Sequence, residues 1–435
     1  MKRSIIILSW LLVILCTSLA SAREWYISIE RGKGRSGTLE KPAKDLGNII
    51  SKLEAGDRIF IAAGVYLGRA ANGSDAITVP VEISGGWNDD FTVRDPWGEF
   101  KTIFSGDHAS DNFVTDYRLS IDTSKFSTNL KPLEHRIVVD GIIFDNGDRN
   151  FYAGSEQLKI VRKGSASNNP TPESGGLVIS TGQLGEVIVK NCIVINTAPT
   201  NGAFSFFPGK AASVTISNNA AVNNTGVGFH LSKSFFGDTS EEYPSYTVEN
   251  NISIFNEKHD PFATFGGSAI KLEAAINAVI TGNVFAMNDS YGVDNAGRAE
   301  GVILTNNFFT GNVVADYLEF DTKIQLEDIE DFAEYLDDAA DNRKELISLV
   351  VPQRWAEAYM ARNIIDRAEA EEGVGALNTG ANALRSILGL NLQGNDLAID
   401  SEVWLPRMSL EEAFGFIGRY FDAYGTFQPA PFQQE

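Results

Sequence analysis

The chain has 435 residues, 43% of them hydrophobic and 21% charged, which supplies a substantial core and excludes wholesale disorder. Its 36 Lys and Arg face 57 Asp and Glu, and the net charge of −21 excludes a phosphate-backbone binder or a partner for anionic lipid. The 40 Gly and 32 Asn, alongside 27 Phe, point to a β-rich fold with many tight corners.

Residues 1–22 read as an export signal. Met1-Lys2-Arg3 is basic, Ile5 to Leu15 is apolar, and Ala20-Ser21-Ala22 gives a small-x-small exit. The run falls well short of the roughly 18 apolar residues that span a bilayer, so the expectation is cleavage after Ala22 with no membrane insertion afterwards. A secreted, periplasmic or cell-surface location follows. Cleavage leaves Cys192 alone, which precludes an intrachain disulfide and fits a buried hydrophobe. Residues 23–56 read as an N-terminal strand and capping helix, because Leu46, Ile49, Ile50 and Leu53 share one side of a helix over 42–54.

Residues 57–315 read as a solenoid. Five segments carry Asn-x4-Asn: Asn191 to Asn196, Asn219 to Asn224, Asn251 to Asn256, Asn283 to Asn288, and Asn307 to Asn312. Successive first Asn residues lie 28, 32, 32 and 24 positions apart, a period that marks stacked repeats. Three positions before them stand Ile188, Ile216, Val248, Ile280 and Leu304. One position after stand Cys192, Ala220, Ile252, Val284 and Phe308, and three after, Val194, Val222, Ile254, Ala286 and Thr310. Alternation at period two, kept in register, predicts short strands with these columns facing inward. Asn tolerates the left-handed corner such coils need, and its amide can bond its counterpart one coil on, as a ladder. A weaker copy runs from Arg136 to Asn146, with Gly141 in the first Asn slot. The expected fold is an all-β solenoid, a right-handed single-stranded parallel β-helix with an N-terminal helical cap.

The runs Gly37–Pro42, Asp45–Leu53 and Gly56–Tyr66 resemble the entrance of pectin-lyase-like parallel β-helix proteins. Ile83-Ser-Gly-Gly-Trp-Asn-Asp-Asp-Phe91 with Arg94-Asp-Pro96 is similar to segments of the same group. The resemblance spans residues 24–315 and implies the fold rather than an activity. Enzymes of that group act on polysaccharides along one sheet. The pectate-lyase-like pairing of Trp-Ile-Asp-His with Arg-x-Pro-x-x-Arg is absent, as are the polygalacturonase-like set and the alginate-lyase-like Asn-Gly-Ala/Ser-Glu motif.

Residues 316–435 read as a small acidic α-helical region. Ile329, Phe332, Ala333, Leu336 and Ala340 follow helical spacing, and further helices are expected over 352–372, 379–389 and 409–424. The last has Ser409 as N-cap, with Glu411 and Glu412 in its first turn. The 11 acidic and 3 basic residues between 319 and 345 lack EF-hand spacing and read as a solvated face.

Candidate chemistry lies on Gly-led strands at Gly176–Ser180, Gly202–Phe206, Gly226–His230 and Gly267–Lys271, which put Ser180, Phe206, His230 and Lys271 at equivalent steps. With Phe229 and Ile270 inward, His230, Lys271 and Glu273 face outward on one sheet. β-Elimination on a uronate polymer needs a base and a cation. Lys271 is the candidate base if neighbouring positive charge loosens its proton, with His230 assisting. Arg298, or calcium held by Asp260, Asp294 and Glu300, would neutralise the carboxylate. Phe206, Tyr291 and Glu273 are candidate substrate contacts. A hydrolase would instead use two carboxyls from Asp260, Glu273, Asp294 and Glu300. The sequence thus predicts an exported protein that binds extracellular polysaccharide and, if catalytic, is a lyase rather than a hydrolase. The alternative is a non-catalytic surface scaffold whose helical region meets a protein partner.

Overall fold

The computed structural model describes residues 22–68, 73–106, 117–124, 136–147, 175–182, 185–199, 201–234, 242–258, 266–299, 301–325, 336, 338–344, 352, 356, 388 and 407–424. The expected export signal and most of the helices expected before 409 lie outside these residues.

Three nine-stranded sheets form the described structure, and the chain visits them in rotation, so each strand pairs with one from the next coil. Sheet A contains Glu24–Ile27, Arg58–Ala62, Glu82–Trp87, Arg136–Asp140, Glu186–Lys190, Ser213–Ser217, Ser245–Glu249, Asn277–Thr281 and Val302–Thr305. Sheet B contains Gly64–Leu67, Thr102–Ser105, Ile142–Asp145, Ile193–Ile195, Ala220–Val222, Ile252–Ile254, Val284–Ala286, Phe308–Thr310 and Arg343–Lys344. Sheet C contains Asp75–Ile77, Leu119–Thr123, Leu177–Thr181, Gly202–Phe207, Val227–Leu231, Ile270–Leu272, Tyr291–Asn295, Ala315–Glu319 and Thr322–Ile324. Every strand pairing is parallel except the last, where Ala315–Glu319 turns back antiparallel onto Thr322–Ile324. This rotation through three parallel sheets is a parallel β-helix.

The Asn residues divide two tasks, the corner and the ladder, between neighbouring positions. The ladder runs Asn219, Asn251, Asn283, Asn307 and Asn342, each Nδ2 donating to the next Oδ1 at 2.9–3.0 Å. A second runs Asn224, Asn256, Asn288 and Asn312 at 2.8–3.0 Å. The left-handed corners fall one residue earlier, at Asn218, Asn250 and Asn306 before the first ladder and at Asn223, Phe255 and Met287 before the second. The coil at 191 is therefore one residue out of the expected register. Asn191 and Asn196 are corners at φ 55° and 59°, while Cys192 and Thr197 occupy the ladder slots and donate their amides to Asn219 and Asn224 Oδ1. Doublets such as Asn218-Asn219 hide that one-residue ambiguity in the sequence.

The same shift moves one core column. Ile216, Val248, Ile280 and Leu304 point into the core as expected, but Val189 rather than Ile188 joins them. The columns Ala220, Ile252, Val284, Phe308 and Val222, Ile254, Ala286 do not face inward. They line the outer side of sheet B and are buried there against Met408, Ala413, Phe416, Ile417 and Tyr420. A strand covered on both sides reads as a continuous apolar run, so alternation could not tell its two faces apart.

The covering element is helix α1, Leu410–Tyr424. Its start matches the expected cap: Ser409 Oγ accepts from Glu412 N at 3.2 Å, and Glu412 Oε2 accepts from Ser409 N at 2.8 Å, a reciprocal capping box. Phe416 packs edge-on against Phe255 with centroids 5.1 Å apart. Asn196 fastens the segment, accepting from Met408 N at 3.0 Å and donating to Met408 O at 2.9 Å.

Two further expectations need correction. The N-terminal segment is not an amphipathic α-helix but two single-turn 3-10 helices, Leu46–Asn48 and Ile50–Lys52. Gly47 weakens a helix here, and Asp45 Oδ1 accepts the Asn48 amide, closing a tight turn. Leu46, Ile49 and Leu53 still join the main core with Trp25. Past residue 315 the coils continue: Asp338 bridges Ile303, Asn306 N donates to Ala340 O, and Asn342 ends the ladder. Residues 338–340 thus extend sheet A instead of closing a helix.

Candidate functional site

Sheet C carries the titratable row. Phe229 and Ile270 are cross-strand partners buried in the core, so their neighbours His230 and Lys271, also partners, face out. Asp294 pairs with Lys271 on the next coil, and Glu273 follows Lys271 by two residues, on the same side. Three successive coils thereby bring His230, Lys271, Glu273 and Asp294 together.

Glu273 is the hub. Its Oε1 accepts from Lys271 Nζ at 2.9 Å and lies 3.2 Å from His230 Nε2. The hydrogen bond from His230, reinforced by Lys271 and opposed by partial burial, holds its carboxyl down at about 2. An ionised Glu273 can only accept, so the proton between the two groups sits on Nε2. Nδ1 is buried and finds no hydrogen-bond partner. Burial pushes the Asp294 carboxyl up, against the Ala296 amide and the Lys271 charge, which pull it down. Two neighbouring carboxyls are thus driven in opposite directions.

The row is packed from below. Phe207 meets the His230 ring edge-on at 5.5 Å. Gly202 permits the imidazole its place, since a Cβ there would stand 2.8 Å from the His230 Cβ. Ser205, not Phe206, is the cross-strand partner of His230, and its hydroxyl lies 2.8 Å from the Tyr117 hydroxyl. Sequence reasoning missed Ser205 and Phe207 because a two-residue strand period turns a one-step misalignment into the wrong face.

The remaining candidates scatter. Phe206 is 1% exposed and points into the core opposite Leu231, so it offers no sugar platform. Tyr291 is 8% exposed and packs with Ala315 and Leu318 on the outer side of sheet C. Burial, and then Asp294, push its phenol up. Arg298 is exposed and stacks on Phe320, its guanidinium 3.6 Å from the ring centre. Asp260 and Glu300 lie outside the described residues. Among the described residues no three His, Cys, Asp or Glu side chains converge as metal ligands. Around Lys271 stand the carboxyls of Glu273 and Asp294 and the ring of its cross-strand partner His230, rather than a second Lys or Arg among the described residues.

A parallel β-helix with His230, Lys271, Glu273 and Asp294 gathered on the outer side of one sheet is thus the class of protein that fold and site define. No protein-family model matches the chain, and no curated protein matches it. Among solved structures, it is similar to a GH136 lacto-N-biosidase from Eubacterium ramulus at 12% identity, covering 78% of this chain and 70% of that one, with a TM-score of 0.30. It is also similar to pectate lyase Pel9A at 12% identity, covering 75% and 78%, with a TM-score of 0.30. A rhamnogalacturonan lyase matches at 13% identity over 76% and 64%, with a TM-score of 0.27.

Proposed function

We propose that the chain is exported, binds an extended polysaccharide across the outer face of sheet C, and cleaves it there by acid–base hydrolysis. The observation that carries this reading is the divergence of two carboxyls in one row, Glu273 held ionised and Asp294 pushed toward the protonated form. Such a pair supplies the two groups that glycoside hydrolysis needs, a proton donor and an ionised carboxylate. Asp294 would donate to the leaving oxygen. Glu273 would act as base or nucleophile. Lys271 Nζ is engaged by Glu273 Oε1 at 2.9 Å and sits across from Asp294 rather than standing free as a base, which favours hydrolysis over an elimination that would use it as one.

The second reading, a non-catalytic scaffold, draws support from helix α1, which occupies the outer face of sheet B as a partner would. Residues 23–435 incubated with a polysaccharide panel separate the two. Hydrolysis gives new reducing ends without absorbance from unsaturated uronates, and Glu273→Gln and Asp294→Asn each lower it about 100-fold or more. Unsaturated products that vanish in Lys271→Ala would replace hydrolysis with elimination. Silence on every polymer, with no binding, would favour the scaffold.

A further inference from the structure

Beyond the carboxyl row, the last coil of sheet C presents a second, preassembled feature. Asn295 O accepts from Arg298 N at 3.0 Å and from Phe320 N at 3.3 Å, so one carbonyl fixes both residues. Asn295 Nδ2 donates to Glu319 Oε2 at 2.8 Å and Tyr317 Oη at 3.0 Å, and its Oδ1 accepts from Ala299 N at 2.8 Å. The turn bearing Arg298 is therefore anchored at both ends. Arg298 and Phe320 both hold left-handed backbone, at φ 55° and 56°, which a bulky side chain rarely adopts without a surrounding structure that imposes it. Their side chains meet guanidinium to ring at 3.6 Å, yet Phe320 stays 49% exposed and Arg298 exposed.

Among the described residues no carboxylate pairs with Arg298, in a chain with 57 acidic side chains and a net charge of −21. An oriented guanidinium with no carboxylate partner among the described residues offers a fork matched to a carboxylate, and the exposed side of Phe320 offers an apolar surface. A uronic acid residue has both complements, a carboxylate and a C–H ring face. Phe320 lies two strands from that of Glu273, about 10 Å at the spacing of paired strands, which is the scale of a short oligosaccharide run. By register, the middle position of this row is Ala296, a small side chain.

We infer that Arg298 and Phe320 form a binding subsite for an acidic sugar, seating one uronate of a polymer whose neighbouring units lie across the Glu273–Asp294 row. This rests on the reading of sheet C as a polysaccharide face, and it makes that polysaccharide acidic. The test is calorimetric titration of the full exported chain, residues 23–435, as Glu273→Gln to block turnover. The ligands are tetragalacturonate and its carboxyl-reduced, neutral counterpart. The expected result is preference for the acid form, lost about tenfold in Arg298→Gln and similarly weakened in Phe320→Ala, with binding of the neutral form unchanged. Arg298→Lys should keep part of the preference and more of its salt dependence. Equal affinity for both forms, unmoved by Arg298→Gln, would overturn the subsite while leaving sheet C as a binding face. Tight binding of the acid form that survives both substitutions would overturn it too. Failure of either ligand to bind, alongside cleavage of a neutral polymer, would also refute the acidic subsite and keep the hydrolase reading.

Discussion

The division between ladder and corner gives a sharp test at two positions, Asn283 and Asn306. Asn283 is fully buried; its Nδ2 donates to Val248 O and Asn307 Oδ1, both at 2.9 Å, and its Oδ1 accepts the amide and Nδ2 of Asn251 at 2.9 Å. In Asn283→Ala the Asn251 amide loses its acceptor, at about 1–3 kcal/mol for a buried orphan, and two or so further bonds vanish at about 1 kcal/mol each. The sum is a loss of about 3–5 kcal/mol. Asn306 is exposed, at φ 55°, and only its backbone is engaged. Asn306→Gly removes the left-handed penalty at the expense of unfolded-state entropy, so the change stays within about 0.5 kcal/mol. Urea unfolding read from midpoints at constant m measures both. An Asn283→Ala loss below about 1 kcal/mol, or an Asn306→Gly loss as large as that at Asn283, would refute the separation of tasks.

Three other outcomes follow from the same geometry. Cys192 occupies a ladder slot, buried, with its thiol pushed up to about 12 chiefly by desolvation, so it should resist thiol reagents until urea unfolds the chain. Cys192→Asn should be nearly neutral, because Val139 O and the Asn219 amide network can complete one more rung. Phe416→Ala should cost about 3–5 kcal/mol of docking at sheet B and speed amide exchange over 410–424 while the strands stay protected. Cleavage should fall on the alkaline side as Asp294 loses its proton, a limb absent from any residual rate of Asp294→Asn. Glu273 titrates below its usual range, so its contribution to stability is full above its unfolded value. It is lost as pH falls toward about 2, and Glu273→Gln should flatten that acid limb in thermal unfolding.

Much of the solenoid was legible because repetition is written in the chain itself. Asn at fixed spacing, Ile216, Val248, Ile280 and Leu304 in column, and Ser409 ahead of a helix each follow from local chemistry. Register between coils was less legible: a period-two strand tolerates a one-residue slip in sequence and reverses every side chain in space, which misplaced Asn191, Ile188 and Phe206. Of the site, the outward setting of His230 and Lys271 followed from alternation. That Glu273 binds both, that Asp294 lies across from Lys271, and that Arg298 stacks on Phe320 required the stacking of coils tens of residues apart.

The sequence by itself determined the solenoid, its asparagine corners and the Ser409 helix cap, because those depend on neighbours in the chain or on exact repetition. Only the tertiary structure decided which face of sheet B is outer and that α1 covers it, leaving sheet C to carry the charged row. The physical reason is that burial and charge are properties of contacts between coils. A carboxyl is ionised or neutral according to what the next coil sets beside it, and no spacing within one strand encodes that.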